Sequence, residues 1–191
     1  MRLICPKSFT TFAAIAASLT LAACGNKEEV IHHAETEGIY VNVGELKYQV
    51  QISRALNPES ISEDRTFLEG LSPEDAELGP DEVWFAVFMY VENESDEAQA
   101  PAEHYEIVSQ TEEVFEPVEL PETNPFHYDV TPIPPGGVAP SPDSVARQLT
   151  SIGGMLQLFK MKHSTLDNRP LELIIKADES SEEESTVDLD V

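Results

Sequence analysis

The chain has 191 residues, 36 of them acidic against 11 basic, for a formal charge of −25. That balance excludes a nucleic-acid binder, because grip on a phosphate backbone comes from lysine and arginine. It also excludes adsorption flat onto anionic lipid, which attracts basic segments and repels acidic ones.

The first element is a leader. Arg2 and Lys7 form a positive start, and Phe9 to Leu21 is an apolar core too short to cross a bilayer. Leu21-Ala22-Ala23-Cys24 then closes it before the polar run Gly25-Asn26-Lys27-Glu28-Glu29. These four residues resemble the lipobox of bacterial lipoproteins, a likeness confined to this segment. The resemblance implies that residues 1–23 are a cleaved signal peptide and that Cys24 carries a diacylglycerol. It places the protein on the extracytoplasmic face of the cell membrane, where two acyl chains suffice for stable anchoring.

Removing residues 1–23 leaves 168 residues with nine basic groups and a formal charge of −27, enough chain for one domain with a real core. Cys5 leaves with the signal and Cys24 takes the lipid, so no free thiol remains. A disulfide framework, a thiolate metal site and a cysteine nucleophile are thereby excluded.

Residues 24–37 read as the lipidated cysteine and a flexible tether. His32 and His33 lie there among Glu28, Glu29, Glu35 and Glu37, a set that could hold a divalent ion loosely but is better read as a solvated linker. The expectation is no metal and no cofactor.

Residues 38–176 carry β signals. Ile39, Val41 and Val43 alternate, then Leu46, Tyr48, Val50 and Ile52 do so after Gly44-Glu45, which reads as a hairpin with one buried face. Val83 to Val91 is apolar on both faces and predicts a central strand covered on both sides, with Trp84 in the core. Asn93-Glu94-Ser95 then reads as a turn. Tyr105 and Ile107, Val114 to Val118, Met155 to Met161 and Leu171 to Ile175 complete about seven strands. The one helical signal is Ser72-Pro73-Glu74-Asp75, with serine as cap, proline at the first helical position and aspartate closing a capping box.

Two connections are long. Ala55 to Glu82 spans 28 residues and includes Leu56, Ile61, Phe67, Leu68 and Leu71, so it is expected to pack across a sheet edge. Pro117 to Pro142 holds eight of the 14 prolines. Phe126, Tyr128 and Ile133 within it are the candidate contact residues for a ligand or partner, since a preset backbone lowers the cost of ordering and aromatics supply most hot spots. The competing reading tucks Phe126 and Tyr128 under the loop as a satellite cluster. Beyond the domain, residues 177–191 hold acids and no base, which predicts a disordered acidic tail.

Short strands, turns between them and no alternating helices predict an all-β fold, an antiparallel β-sandwich. A second resemblance covers residues 38–176. Gly44-Glu45-Leu46-Lys47-Tyr48-Gln49-Val50, the strand ending Val91-Glu92-Asn93, Tyr105-Glu106-Ile107-Val108, Phe115-Glu116-Pro117 and Asn168-Arg169-Pro170-Leu171-Glu172-Leu173 occur in that order. The order resembles the immunoglobulin-like domain of uncharacterised secreted lipoproteins of actinobacteria and other Gram-positive bacteria, a fold shared by a small secreted mycobacterial antigen. The resemblance implies an immunoglobulin-like sandwich outside the cytoplasm and implies no catalytic residues.

The residues themselves offer no Gly-x-Ser-x-Gly elbow, no His-Glu-x-x-His and no phosphate-binding glycine loop. Gly136-Gly137 and Gly153-Gly154 read as turn or bulge glycines. His104 and His127 have no serine or carboxylate tied to them by spacing, and His163 with Ser164 and Asp167 reads as a turn. The expected function is a non-catalytic binding or interaction module on a lipid anchor, its partner an envelope protein or a small ligand. The alternative is a cell-envelope hydrolase with a site built from the long loops, and a two-lobed solute receptor would need more chain.

Overall fold

The computed structural model describes residues 30–59, 63–149 and 152–189. The signal peptide, Leu21-Ala22-Ala23-Cys24, Glu28, Glu29 and Ile61 lie outside these residues. The strands are β1 (His33–Ala34), β2 (Tyr40–Val43), β3 (Leu46–Leu56), β4 (Glu82–Asn93), β5 (His104–Val108), β6 (Val114–Phe115), β7 (Pro117–Val118), β8 (Val138–Ala139), β9 (Met155–Lys162), β10 (Leu171–Lys176) and β11 (Glu184–Leu189). They form two sheets, ordered β1-β11-β10-β5-β6 and β2-β3-β4-β9-β7, with β8 pairing β4. This is the expected β-sandwich, and all its pairings are antiparallel except β1 on β11.

Alternation decides what each sheet buries. Val41, Val43, Tyr48, Val50, Phe85, Val87 and Met89 from the larger sheet meet Tyr105, Ile107, Leu173, Ile175, Val187 and Leu189 from the smaller one. The intervening residues of β4 point the other way: Trp84, Ala86 and Phe88 join Leu56, Leu156 and Leu158 in a second apolar layer on the outer face. Trp84 is 2% exposed, as its doubly apolar strand predicts. A bulge between Val50 and Ile52 turns Ile52 from the inner face, where strict alternation would leave it, to the outer layer.

That outer layer is covered by connections. The segment between β3 and β4 lies over the sheet face rather than along an edge. Its helix α1 (Glu63–Phe67) drives Phe67 against Phe88, ring centroids 4.8 Å apart, and helix α2 (Val145–Leu149) adds Ala146. Half of the expected capping box forms at Ser72: the Asp75 amide donates to Ser72 Oγ at 3.0 Å, while Asp75 Oδ2 accepts from the Ser72 hydroxyl at 2.7 Å and not from its backbone amide. It caps one turn and no helix, because Gly79-Pro80 follows too soon for a second turn.

Both terminal segments depart from expectation. Residues 184–189 are strand β11, inserted between β1 and β10 with six register pairs to β10. Ser185, Val187 and Leu189 are buried, while Glu184, Thr186 and Asp188 point outward, so the acids sit where a half-covered strand carries polar groups. Overall acidity hid a period-two pattern. The segment read as a tether likewise ends on the domain: Ala34 is buried in the inner core, and the Thr186 amide donates to the His32 carbonyl at 2.8 Å.

Candidate functional site

After Val118 the proline-rich segment leaves the sheet, and the edge of β9 opposite β4 has no strand partner beyond its Leu158–Val118 pair. The loop takes that place. The Leu156 amide donates to the Phe126 carbonyl at 3.0 Å, which seats the Phe126 ring edge-on to Phe67 at 4.7 Å. Asn124 fixes the corner by donating to the Phe67 and Glu69 carbonyls at 3.1 and 2.9 Å. Downstream, Ile133 exchanges backbone bonds with Gln99, and the buried Asn93 amide donates to the Ile133 carbonyl at 2.7 Å.

The three candidate contact residues are therefore not an exposed surface. Phe126 is fully buried, Ile133 is 3% exposed and Tyr128 is half-buried. A loop that replaces a strand must spend its apolar side chains covering the sheet, which is the satellite-cluster arrangement weighed above.

The same replacement leaves a gap. A cavity of about 680 Å³ opens between the start of β5, the edge of β9 and the 117–130 segment. Its apolar wall includes Val118, Leu120, Pro121, Val130 and Leu156. Its polar floor comes from two sources.

The first is Gln157. Met155, Gln157, Phe159 and Met161 alternate along β9 toward the inner core, so a glutamine occupies a position that strand periodicity assigns to an apolar residue. Gln157 is 7% exposed, and its side-chain amide makes no hydrogen bond to any described residue. Every fully buried side-chain nitrogen or oxygen among the described residues does have a partner. The Gln157 amide must therefore reach accessible space, and the cavity it lines is that space.

The second is a tyrosine cluster, of which Tyr105 and Tyr128 line the cavity and Tyr48 does not. The Ala102 amide donates to the Tyr48 hydroxyl at 2.6 Å, the Tyr105 and Tyr128 hydroxyls share a hydrogen bond, and Tyr48 lies against both. The Tyr105 and Tyr128 rings stand edge-to-face, 5.2 Å between centroids. Burial pushes Tyr48 up to about 12 and holds Tyr105 and Tyr128 well above the ordinary phenol range.

At the mouth, His127 Nδ1 lies 2.8 Å from the Leu120 carbonyl. A carbonyl only accepts, so Nδ1–H is the donor of this bond. Asp75, Glu103, Glu119 and Glu122 also line the opening, and no lysine or arginine does so among the described residues.

The other histidines are elsewhere. His104 Nε2 faces Glu106 at 3.9 Å on β5 and does not line the cavity with His127. His163 begins a short 3-10 helix spanning His163–Asp167, in keeping with the expected turn. His32 Nδ1 meets Ser185 Oγ at 3.0 Å and His33 Nδ1 meets Thr186 Oγ1 at 2.7 Å. The acids beside His33 are Glu172 and Asp188, the three ligand atoms lying within 4.8 Å of one another. Sequence proximity had pointed to Glu35 and Glu37 instead. Asn93 accepts from the Ser95 amide and hydroxyl at 3.0 and 2.7 Å, the expected turn.

No protein-family model matches the chain, and no curated protein matches it. Solved structures do. The yjhA protein from Bacillus subtilis matches over 82% of this chain and 99% of its own, at 11% identity and a TM-score of 0.45. A functionally unknown protein from Listeria monocytogenes matches over 74% of this chain and 70% of its own, at 12% identity and a TM-score of 0.47. An uncharacterized beta-sandwich protein from Clostridium difficile matches over 85% and 97%, at 11% identity and a TM-score of 0.45. The sandwich assignment rests on the two sheets described above.

Proposed function

We propose that the protein is an extracytoplasmic lipoprotein, anchored through a diacylglycerol on Cys24, whose immunoglobulin-like sandwich is a non-catalytic binding module. The binding reading is carried by one observation: a cavity beside β9 into which the side-chain amide of Gln157, a residue 7% exposed and hydrogen-bonded to no other described side chain or backbone group, opens. The amide faces the cavity, so a ligand group that reproduces the hydrogen bonds water makes there can take the place of that water. Pockets of this kind, largely apolar with a few placed polar groups, are where small ligands bind.

Anchoring is supported by the Leu21-Ala22-Ala23-Cys24 motif. Ile31, seven residues after Cys24, accepts a hydrogen bond from the Asn42 amide of β2, and seven residues of extended chain reach at most about 25 Å. The module is thus held close to the bilayer, with little of the slack a longer tether would give. Replacing Cys24 with serine is the test. The Cys24→Ser protein is expected in the culture medium, and its retention in membranes after a carbonate wash would overturn the anchor.

A further inference from the structure

We infer that the cavity beside Gln157 binds an organic ammonium ion with a hydrophobic body, an inference that rests on reading the domain as a binding module. Acids at a mouth say little in a chain with 36 of them. The floor is what singles this cavity out, because Gln157 is 93% removed from solvent and still unpaired.

The polar groups are biased toward accepting. The carboxylates of Glu103 and Glu119 accept only, and Gln157 offers an acceptor carbonyl beside its amide N–H groups. An ammonium group carries three donors and no acceptor, the complement of that set. The half-buried Tyr128 ring adds an aromatic face of the kind that attracts cations. An anion would meet several carboxylates with no lysine or arginine among the described residues to offset them. The body of the ligand must be apolar, since Val118, Leu120, Pro121, Val130 and Leu156 form the remaining wall.

Three probes share one apolar body and differ in head group: 2-phenylethylammonium, 2-phenylethanol and 3-phenylpropionate. They are titrated into isotopically labelled Cys24→Ser protein, so the outcome does not depend on lipidation. The ammonium is expected to shift the Gln157 side-chain amide and the Tyr105 resonances, and to bind at least about tenfold more tightly than the alcohol, with the carboxylate weakest. Gln157→Leu, which keeps the side-chain volume and hence the fold, should weaken ammonium binding at least about fivefold, and Glu103→Gln should narrow the preference over the alcohol. Equal or tighter binding of the carboxylate would overturn the inference. So would unchanged binding by folded Gln157→Leu, shifts confined to other surfaces, or no shift at Gln157 with any probe up to about 10 mM. An ammonium failure with tight binding of the alcohol at Gln157 would reject the charge class and leave the binding module standing.

Discussion

Leu173 and Val187 are register partners across β10 and β11, and neither has any exposed surface. The C-terminal acids therefore belong to a strand on which the inner core depends. Ser185, at the head of that strand, donates its hydroxyl to the Asn42 carbonyl and so ties the smaller sheet to the larger one.

Truncation after Ala177 removes Val187 and Leu189 from the core and bares the edge of β10. Burying a side chain of that size is worth about 1.5–3 kcal/mol. The loss of about 3–6 kcal/mol is a large share of the stability of about 5–15 kcal/mol typical of a domain. The truncated protein should melt many degrees lower or fail to fold, read by thermal unfolding followed in circular dichroism. An unchanged melting temperature would show that β11 contributes nothing.

Trp84→Ala should cost about 3–5 kcal/mol, the usual range for removing a large aromatic from a core. Trp84 lies in the outer layer under the covering connections, with Lys160 Nζ 5.2 Å from its ring centre. Its native emission should be blue-shifted and poorly quenched by iodide, moving red on denaturation. Red, freely quenched emission in the folded state would mean that the covering segments lift away from the sheet.

The sandwich was legible in the sequence because strands β2, β3, β4, β9 and β10 carry period-two or doubly apolar patterns that bury what they predict. β11 was not, since counting its acids masked the alternation of Ser185, Val187 and Leu189. The candidate site was half legible. Residues 117–142 do build the cavity wall, and Tyr128 lines it, but Phe126 and Ile133 cover the sheet, and no local pattern tells a loop that caps a sheet from one that offers its aromatics to solvent. Gln157 did leave a signal, a polar residue at a core-facing position between Met155 and Phe159.

Arg54 and Asp64 couple β3 to α1. The guanidinium bonds the Asp64 carboxylate, whose second oxygen accepts from the Asn57 amide at 2.9 Å. That hydrogen bond from Arg54 holds Asp64 below the ordinary carboxylate range. A lowered native pKa gives stability that is fully present above the unfolded value, about 4, and lost as pH falls through the native value. Asp64→Asn should therefore destabilise the protein by about 1–3 kcal/mol at pH 7 and flatten the acid limb of its stability curve below about pH 4. An acid limb identical to that of the natural protein would remove this pair from the account.

The tyrosine cluster makes the opposite prediction at high pH. Tyr48, Tyr105 and Tyr128 are held protonated by burial, Tyr48 up to about 12 and the other two well above the ordinary range. In the unfolded chain a phenol ionises near pH 10. A raised native pKa gives stability that is fully present below about pH 10 and falls as pH rises toward the native value, because only the unfolded state then releases the proton. For Tyr48 the span from 10 to about 12 corresponds to about 2–3 kcal/mol. Melting temperature should thus drop steeply between about pH 10 and 12, and the phenolate absorbance of these three residues should rise together with loss of near-ultraviolet dichroism. Tyr48→Phe removes one of the titrating groups and leaves the Ala102 amide without its acceptor. The variant should be less stable at pH 7 by about 1–3 kcal/mol yet show a shallower alkaline slope. Phenolate absorbance that develops fully near pH 10 while the fold persists would mean that water reaches the cluster, and that the floor of the cavity is wet.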